Sequence, residues 1–204
     1  MPATAVLDEK WLACALAATT SRFRLTDAAT TGVLWWYSAS SVLLGPVAES
    51  YVRGGPVADP ALGVTTLFVH QDGRVLDARS SGVVERAGAA LAVASAVDSC
   101  VAAVASASGA SARALWAIAT DSLANRVLWA GGSAEAMELA AELASDARFP
   151  VPRFVEIGSR TAVRRASCCL VYESPGQRKC VSCPRQTPDD RLRRLRAALG
   201  DVDR

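Results

Sequence analysis

Residues 153–186 read RFVEIGSRTAVRRASCCLVYESPGQRKCVSCPRQ and set the end of the chain apart from the rest. Short β-prone pieces alternate with turns in it, and four cysteines follow them. Upstream of Pro150 the chain is rich in alanine and in helical patterns instead. We therefore predict a helix-rich α+β protein, in which a scaffold at residues 1–152 precedes a cysteine-rich module at residues 153–204, both as subdomains of one compact unit.

The predicted scaffold consists of helices and a small antiparallel β element. Apolar residues at helical spacing, with capping and breaking residues at their ends, predict helices at residues 8–20, 31–44, 48–52, 83–107, 111–130 and 134–145, and a further one at 189–201 in the module. Ser133 is the expected cap of the helix at 134–145. β-branched residues on both sides of Asp72-Gly73 predict a tight hairpin over residues 64–78.

Composition excludes several classes of protein. Of the 204 residues, 51% are hydrophobic and 21% are charged, so the chain is not disordered. The net charge of +2, without basic patches interleaved with aromatics, argues against nucleic-acid binding. Residues 28–48 carry no charge, but their Ser, Thr and Pro content favours a buried core helix over a membrane span. The start of the chain lacks a secretory signal, so we expect a cytoplasmic protein, with peripheral contact to the inner face of the membrane left open.

The four clustered cysteines form a C-C-x10-C-x2-C pattern: Cys168, Cys169, Cys180 and Cys183. In a reducing cytosol such thiols are metal ligands or redox groups rather than disulfides. Vicinal cysteines point to opposite faces of a regular strand, so both can ligate one centre only if the backbone bends. A two-iron cluster relaxes this requirement, whereas one zinc must gather four sulfurs at about 2.3 Å, which disfavours zinc without excluding it.

Basic residues flank the predicted ligands. Arg164, Arg165, Arg178 and Lys179 could raise the reduction potential of a cluster through their charge, or could dock an acidic electron donor. We expect the arginines of the last helix to be a solvated face. Cys14 and Cys100 lie in apolar helical stretches and are expected in the core.

Two other features could bear on function. His70, the only histidine, could replace a ligand or shuttle a proton, but we expect it at the surface of the hairpin. The run Trp35-Trp36-Tyr37 could line a groove for a linear, partly apolar ligand, although core packing is the favoured interpretation. No dinucleotide fingerprint is present, so electrons should come from another protein.

The run Arg164–Tyr172, RRASCCLVY, followed by CVSCP at residues 180–184, resembles the C-terminal motif of the FhuF-like ferric-siderophore reductases. The resemblance implies that the four cysteines bind a 2Fe-2S cluster. It also implies that the protein reduces Fe(III) in hydroxamate-type siderophores during iron uptake, with a ferredoxin or a reductase as external donor. It covers roughly the last fifth of the chain and assigns no substrate-binding residue.

We therefore expect one-electron transfer from a 2Fe-2S cluster to siderophore-bound iron, with release of Fe(II) and no catalytic residue beyond the cluster ligands. Two alternatives stay open. The protein could be an iron-sulfur electron carrier or sensor without siderophore specificity. It could also be an interaction protein in which the cysteines hold a structural zinc.

Overall fold

The computed structural model describes residues 1–131 and 134–200. Its helices are α1 (Glu9–Phe23), α2 (Ala28–Leu43), α3 (Gly45–Arg53), α4 (Ala89–Ser108), α5 (Ala112–Gly131), α6 (Ala134–Leu143) and α7 (Pro188–Leu199). Its strands are β1 (Val57–Ala58), β2 (Thr65–Val69), β3 (Val75–Ser80), β4 (Val83–Val84), β5 (Phe154–Ile157) and β6 (Arg160–Val163). The strands form three antiparallel pairs, β1 with β4, β2 with β3 and β5 with β6. The helix-rich α+β class and the hairpin around Asp72-Gly73 are confirmed.

Helix α5 is the centre of the scaffold. It packs against α2, α3, α4 and α6, and its middle, from Leu115 to Ala124, is buried on all sides. Two polar contacts fasten it to α2: the indole of Trp36 donates to the Leu115 carbonyl at 2.9 Å, and the Ser40 and Ser122 hydroxyls lie 2.8 Å apart. Because α5 is surrounded in this way, any charged side chain in its middle needs a partner inside the protein.

Helix α2 is a core helix, as its Ser and Thr content predicts. It has 16 residues, and Leu34, Trp35 and Trp36 are buried within the protein. In the part of the chain that the structure describes, one segment, Arg86–Ser108, has the length and apolar composition of a membrane span. Of the 18 consecutive residues of this segment that are most apolar, 39% are buried within the protein. Asp98, within the same segment, forms an ion pair with Arg148 at 2.6 Å.

Two expectations about the scaffold are wrong. The helix expected at 83–107 begins only at Ala89, because Val83 and Val84 are β-branched and pair with β1 as strand β4. Cys14 is exposed rather than buried, since it points away from the apolar stripe of α1, whereas Cys100 lies in the core as expected. The expected cap Ser133 lies outside the described residues.

The cysteine-rich module lies directly against the scaffold. Strand β6 packs on α5, and the Ser174 hydroxyl donates to the carbonyl of Phe23 at the end of α1. Cys169 is buried in a small apolar cluster with Leu25 and Leu34. Although the division at residue 152 stays a prediction, these contacts hold the cysteine loop between the corner of α1 and α2 and the middle of α5.

Candidate metal centre

The backbone bends sharply just after the vicinal cysteines. Leu170 has a φ of 60°, in the left-handed region that residues with a Cβ rarely adopt, and it begins a 3-10 turn at Val171–Glu173. Strain of this kind is retained where the surrounding structure requires it, as at ligand clamps. The bend turns the chain after Cys169, and neither Cys168 nor Cys169 lies in a strand, so the alternation of side chains in a regular strand does not apply to them.

The second cysteine pair lies in a tight turn. The amide of Cys183 donates to the carbonyl of Cys180 at 3.1 Å. The side-chain amide of Gln186 donates to the carbonyls of Cys180 and Val181 at 2.9 and 3.0 Å and holds the turn from outside. The Cys-x-x-Cys segment is thus fixed locally, before any metal is considered.

The structure brings the four predicted ligands together. The sulfurs of Cys168 and Cys183 lie 3.6 Å apart, and the Cys168 and Cys180 thiols are close enough to Cys169 to shift its pKa. Cys169 and Cys183 are buried, at 2% and 0% exposure, whereas Cys168 and Cys180 are partly exposed. The set therefore has an inner side within the protein and an outer side toward solvent.

The pKa of Cys169 shifts in the direction opposite to those of Cys168 and Cys180. Hydrogen bonds from Cys168 and Cys180 lower the pKa of the Cys169 thiol well below its ordinary value. The same contacts, with burial, raise the pKa of Cys168 and Cys180. One thiolate, at Cys169, is therefore favoured at the buried end, and thiolate is the form that binds metal.

Arg165 is the cation of this centre. It is only 6% exposed, and its Nη1 lies 3.5 Å from the Cys180 sulfur. Its guanidinium stacks over the ring of Tyr37, 4.6 Å from the ring centre, and its Nε pairs with Asp121 at 3.4 Å. Burial disfavours the cation, but the neighbouring Tyr37, Cys169 and Asp121 hold the pKa of Arg165 above its ordinary value. The side chain therefore places a permanent positive charge beside the sulfurs.

Asp121, in the middle of α5, fastens the cysteine loop to the scaffold. Besides Arg165, its carboxylate accepts the amides of Ala166 at 2.8 Å and Ser167 at 3.2 Å, directly before Cys168. Burial raises the pKa of Asp121, while these amides and the Arg165 charge oppose that rise. Asp121 was not among the residues predicted from the sequence to belong to the site. It is a lone acid in an apolar helical run, and a buried acid needs a charged or hydrogen-bonding partner, so this pattern could have indicated a buried ion pair.

The residues present fit an iron-sulfur cluster. The four thiols could serve as its ligands, and the Nη2 of Arg165 is buried without a hydrogen-bond partner among the described residues. Inorganic sulfide would provide the missing acceptor. No three His, Cys, Asp or Glu side chains in the described ranges converge so as to hold a single metal ion.

Of the four flanking basic residues singled out from the sequence, only Arg165 contacts a ligand. Arg164, Arg178 and Lys179 are exposed, and the Lys179 ammonium donates to the Arg185 carbonyl at 2.8 Å.

His70 lies in the hairpin turn, where its Nδ1 is 3.0 Å from Asp72, and it does not join the cysteines. Trp35 and Trp36 are core residues, as favoured. Tyr37, at the end of the same aromatic run, reaches the centre through Arg165.

Comparison with known proteins agrees with this geometry. Residues 165–185 match the family model described as the FhuF 2Fe-2S C-terminal domain, a segment that contains Arg165 and all four cysteines. No curated protein and no solved structure matches the chain. The match indicates a 2Fe-2S cluster as the cofactor. Residues 165–185 are therefore similar to the FhuF-type 2Fe-2S motif, and the match is consistent with a FhuF-like family.

Proposed function

We propose that this protein is a ferric-siderophore reductase, which passes one electron to siderophore-bound Fe(III) and so releases Fe(II). The observation that carries the proposal is the four-thiol set within a FhuF-type motif, with one side buried and the other open to solvent. Fe(III) is a hard cation that anionic oxygens bind very tightly, and Fe(II) binds them weakly. One electron is thus sufficient to make the iron releasable.

In this proposal the chain contributes ligands for the cluster and a positive charge beside them. Cys168, Cys169, Cys180 and Cys183 would bind the 2Fe-2S cluster, which supplies one-electron transfer when bound. Asp121 holds the loop before Cys168 in place, and Arg165 provides a positive charge that favours the reduced form. Burial of Cys169 and Cys183 excludes water from the inner side. The outer side, with Cys168 and Cys180, is where redox partners can approach.

The electron donor in this proposal is an acidic protein such as a ferredoxin or a reductase in the cytoplasm. Exposed positive charges beside the centre, on Arg164, Arg178 and Lys179, would steer it toward the cluster. Ferric hydroxamates are the proposed substrates. Membrane and nucleic-acid partners have no part in this proposal.

The test is reoxidation of the reduced protein under anaerobic conditions. We expect a ferric hydroxamate to reoxidise the cluster, followed by absorbance, faster than an unrelated one-electron oxidant of similar potential. A chromogenic Fe(II) chelator should trap about one iron per electron transferred. Equal rates for the two oxidants, or reoxidation without trapped Fe(II), would refute the reductase and favour an electron carrier or sensor.

A further inference from the structure

A pocket of about 430 Å³ opens beside Cys168, the partly exposed ligand. Its volume is in the range of small-molecule sites, about 300–1,000 Å³, and it is open to solvent on one side. The lining combines apolar surface from Val33, Ala114, Leu170 and Pro184 with a cluster ligand. A small molecule seated there would lie against the sulfur through which an electron leaves the centre.

The pocket is positively charged. Arg113, in the first turn of α5, and Arg185, two residues after Cys183, both line it. Both side chains are exposed, and neither forms an ion pair within the described ranges of the chain. Among the residues that the structure describes, no Asp or Glu lines this pocket. Two unpaired guanidinium groups over an apolar floor attract an anion and repel a cation.

We propose that this pocket binds the ferric chelate and that Arg113 and Arg185 select chelates carrying negative charge. The inference rests on the proposed function, because the redox role of the ligand comes from it. One electron passes from the reduced cluster to Fe(III), which becomes Fe(II). No covalent bond to the protein forms or breaks, and the cluster returns to its oxidised state. The chelate keeps its anionic oxygens and loses the iron.

The experiment uses two trihydroxamate chelates that bind iron through identical groups and differ only in ending in a carboxylate or an ammonium group. Their iron potentials are therefore matched. The anaerobically reduced protein is mixed with each chelate by stopped flow. We expect the carboxylate chelate to react with a second-order rate constant about tenfold higher, and the difference to shrink at high salt.

Substitutions test whether the preference for the carboxylate chelate arises at this pocket. In Arg113→Gln/Arg185→Gln we expect the reaction with the carboxylate chelate to slow about tenfold, while the ammonium chelate is little affected or faster. The control is Arg53→Gln/Arg196→Gln, which removes the same charge at exposed positions outside the pocket and should keep the preference. An unchanged cluster spectrum in each variant confirms that the centre is intact.

Failure of this inference can be told apart from failure of the proposed function. The Ga(III) forms of both chelates accept no electron, so their binding, measured by calorimetry, tests the pocket alone. Tighter binding of the carboxylate Ga(III) chelate, lost in the pocket variant, supports the site even if Fe(III) is not reduced. Equal binding of the two chelates, or equal behaviour of the pocket and control variants, overturns it. A pocket variant that slows only reduction by an acidic ferredoxin also overturns it, because the pocket would then serve the donor.

Discussion

Replacement of Arg165 by Gln should lower the reduction potential of the cluster. The guanidinium lies 3.5 Å from the Cys180 sulfur, and iron lies about 2.3 Å beyond a thiolate sulfur, which places the charge roughly 6 Å from the cluster. At an effective dielectric constant of about 20, a unit charge at that distance favours the reduced state by about 2.8 kcal/mol. For one electron this corresponds to roughly 120 mV.

The charge of Asp121 determines the smallest fall in reduction potential that we expect. Its carboxylate lies behind Arg165, with 3.4 Å between Nε and Oδ2, and therefore roughly 9 Å from the cluster, where its charge opposes reduction by about 1.8 kcal/mol. If Asp121 takes up a proton when Arg165 is removed, the net loss is about 1.0 kcal/mol, or roughly 40 mV. The potential of Arg165→Gln should thus fall by about 40 to 120 mV.

The matched variant Asp121→Asn should shift the potential in the opposite direction. Loss of the negative charge predicts a rise of about 80 mV. Arg164→Gln is the control, because Arg164 is the exposed neighbour of Arg165 and water screens its charge. Its potential should stay within about 20 mV of the parent protein.

The assay is an anaerobic, dye-mediated redox titration followed by absorbance and by electron paramagnetic resonance of the reduced cluster. Arg165→Lys keeps the charge and should recover most of the potential even if Arg165→Gln loads poorly. A potential in Arg165→Gln equal to or above that of the parent, with an intact spectrum, would refute the electrostatic reasoning. Shifts of the same sign in Arg165→Gln and Asp121→Asn would do so as well, since they would indicate a general structural disturbance.

Two further sets of substitutions test the ligand set and the scaffold. Cys168, Cys169, Cys180 or Cys183 replaced by Ser should abolish or strongly destabilise the cluster, measured as iron content and visible absorbance, while the exposed Cys14→Ser keeps both; a stable, full spectrum in any of the four would remove that residue from the ligand set. Gly32→Ala should lower the free energy of unfolding by about 1–3 kcal/mol, because its Cβ would lie 2.1 Å from the Ser108 hydroxyl where α2 crosses α4. Gly55→Ala, with open space around it, is the control in the same denaturant titration, and equal stability of the two variants would contradict the close packing.

Local patterns were sufficient for much of the fold. Periodic apolar residues predict α1, α2 and α5, and Asp72-Gly73 predicts the hairpin, because each depends on neighbours within a few positions. The prediction failed where a distant partner decided the outcome. Val83 and Val84 continue an alanine-rich helical run in sequence, but strand β1 lies beside them and pairs with them. Cys14 stands in an apolar run, yet the stripe that packs lies on the other side of α1.

The chemistry of the centre could be predicted from the sequence, because the identity and spacing of four cysteines within one short segment indicate cluster ligands. Which of the surrounding charges contact the sulfurs depends on the tertiary structure. Arg164 and Arg165 are adjacent and chemically identical, but only Arg165 is buried between the sulfurs and Asp121, 44 residues earlier in the chain. Burial and charge pairing depend on contacts between distant segments, and Coulomb interactions are strong only where those contacts exclude water. For the same reason, the positive pocket beside Cys168 exists only once Arg113 and Arg185 are brought together.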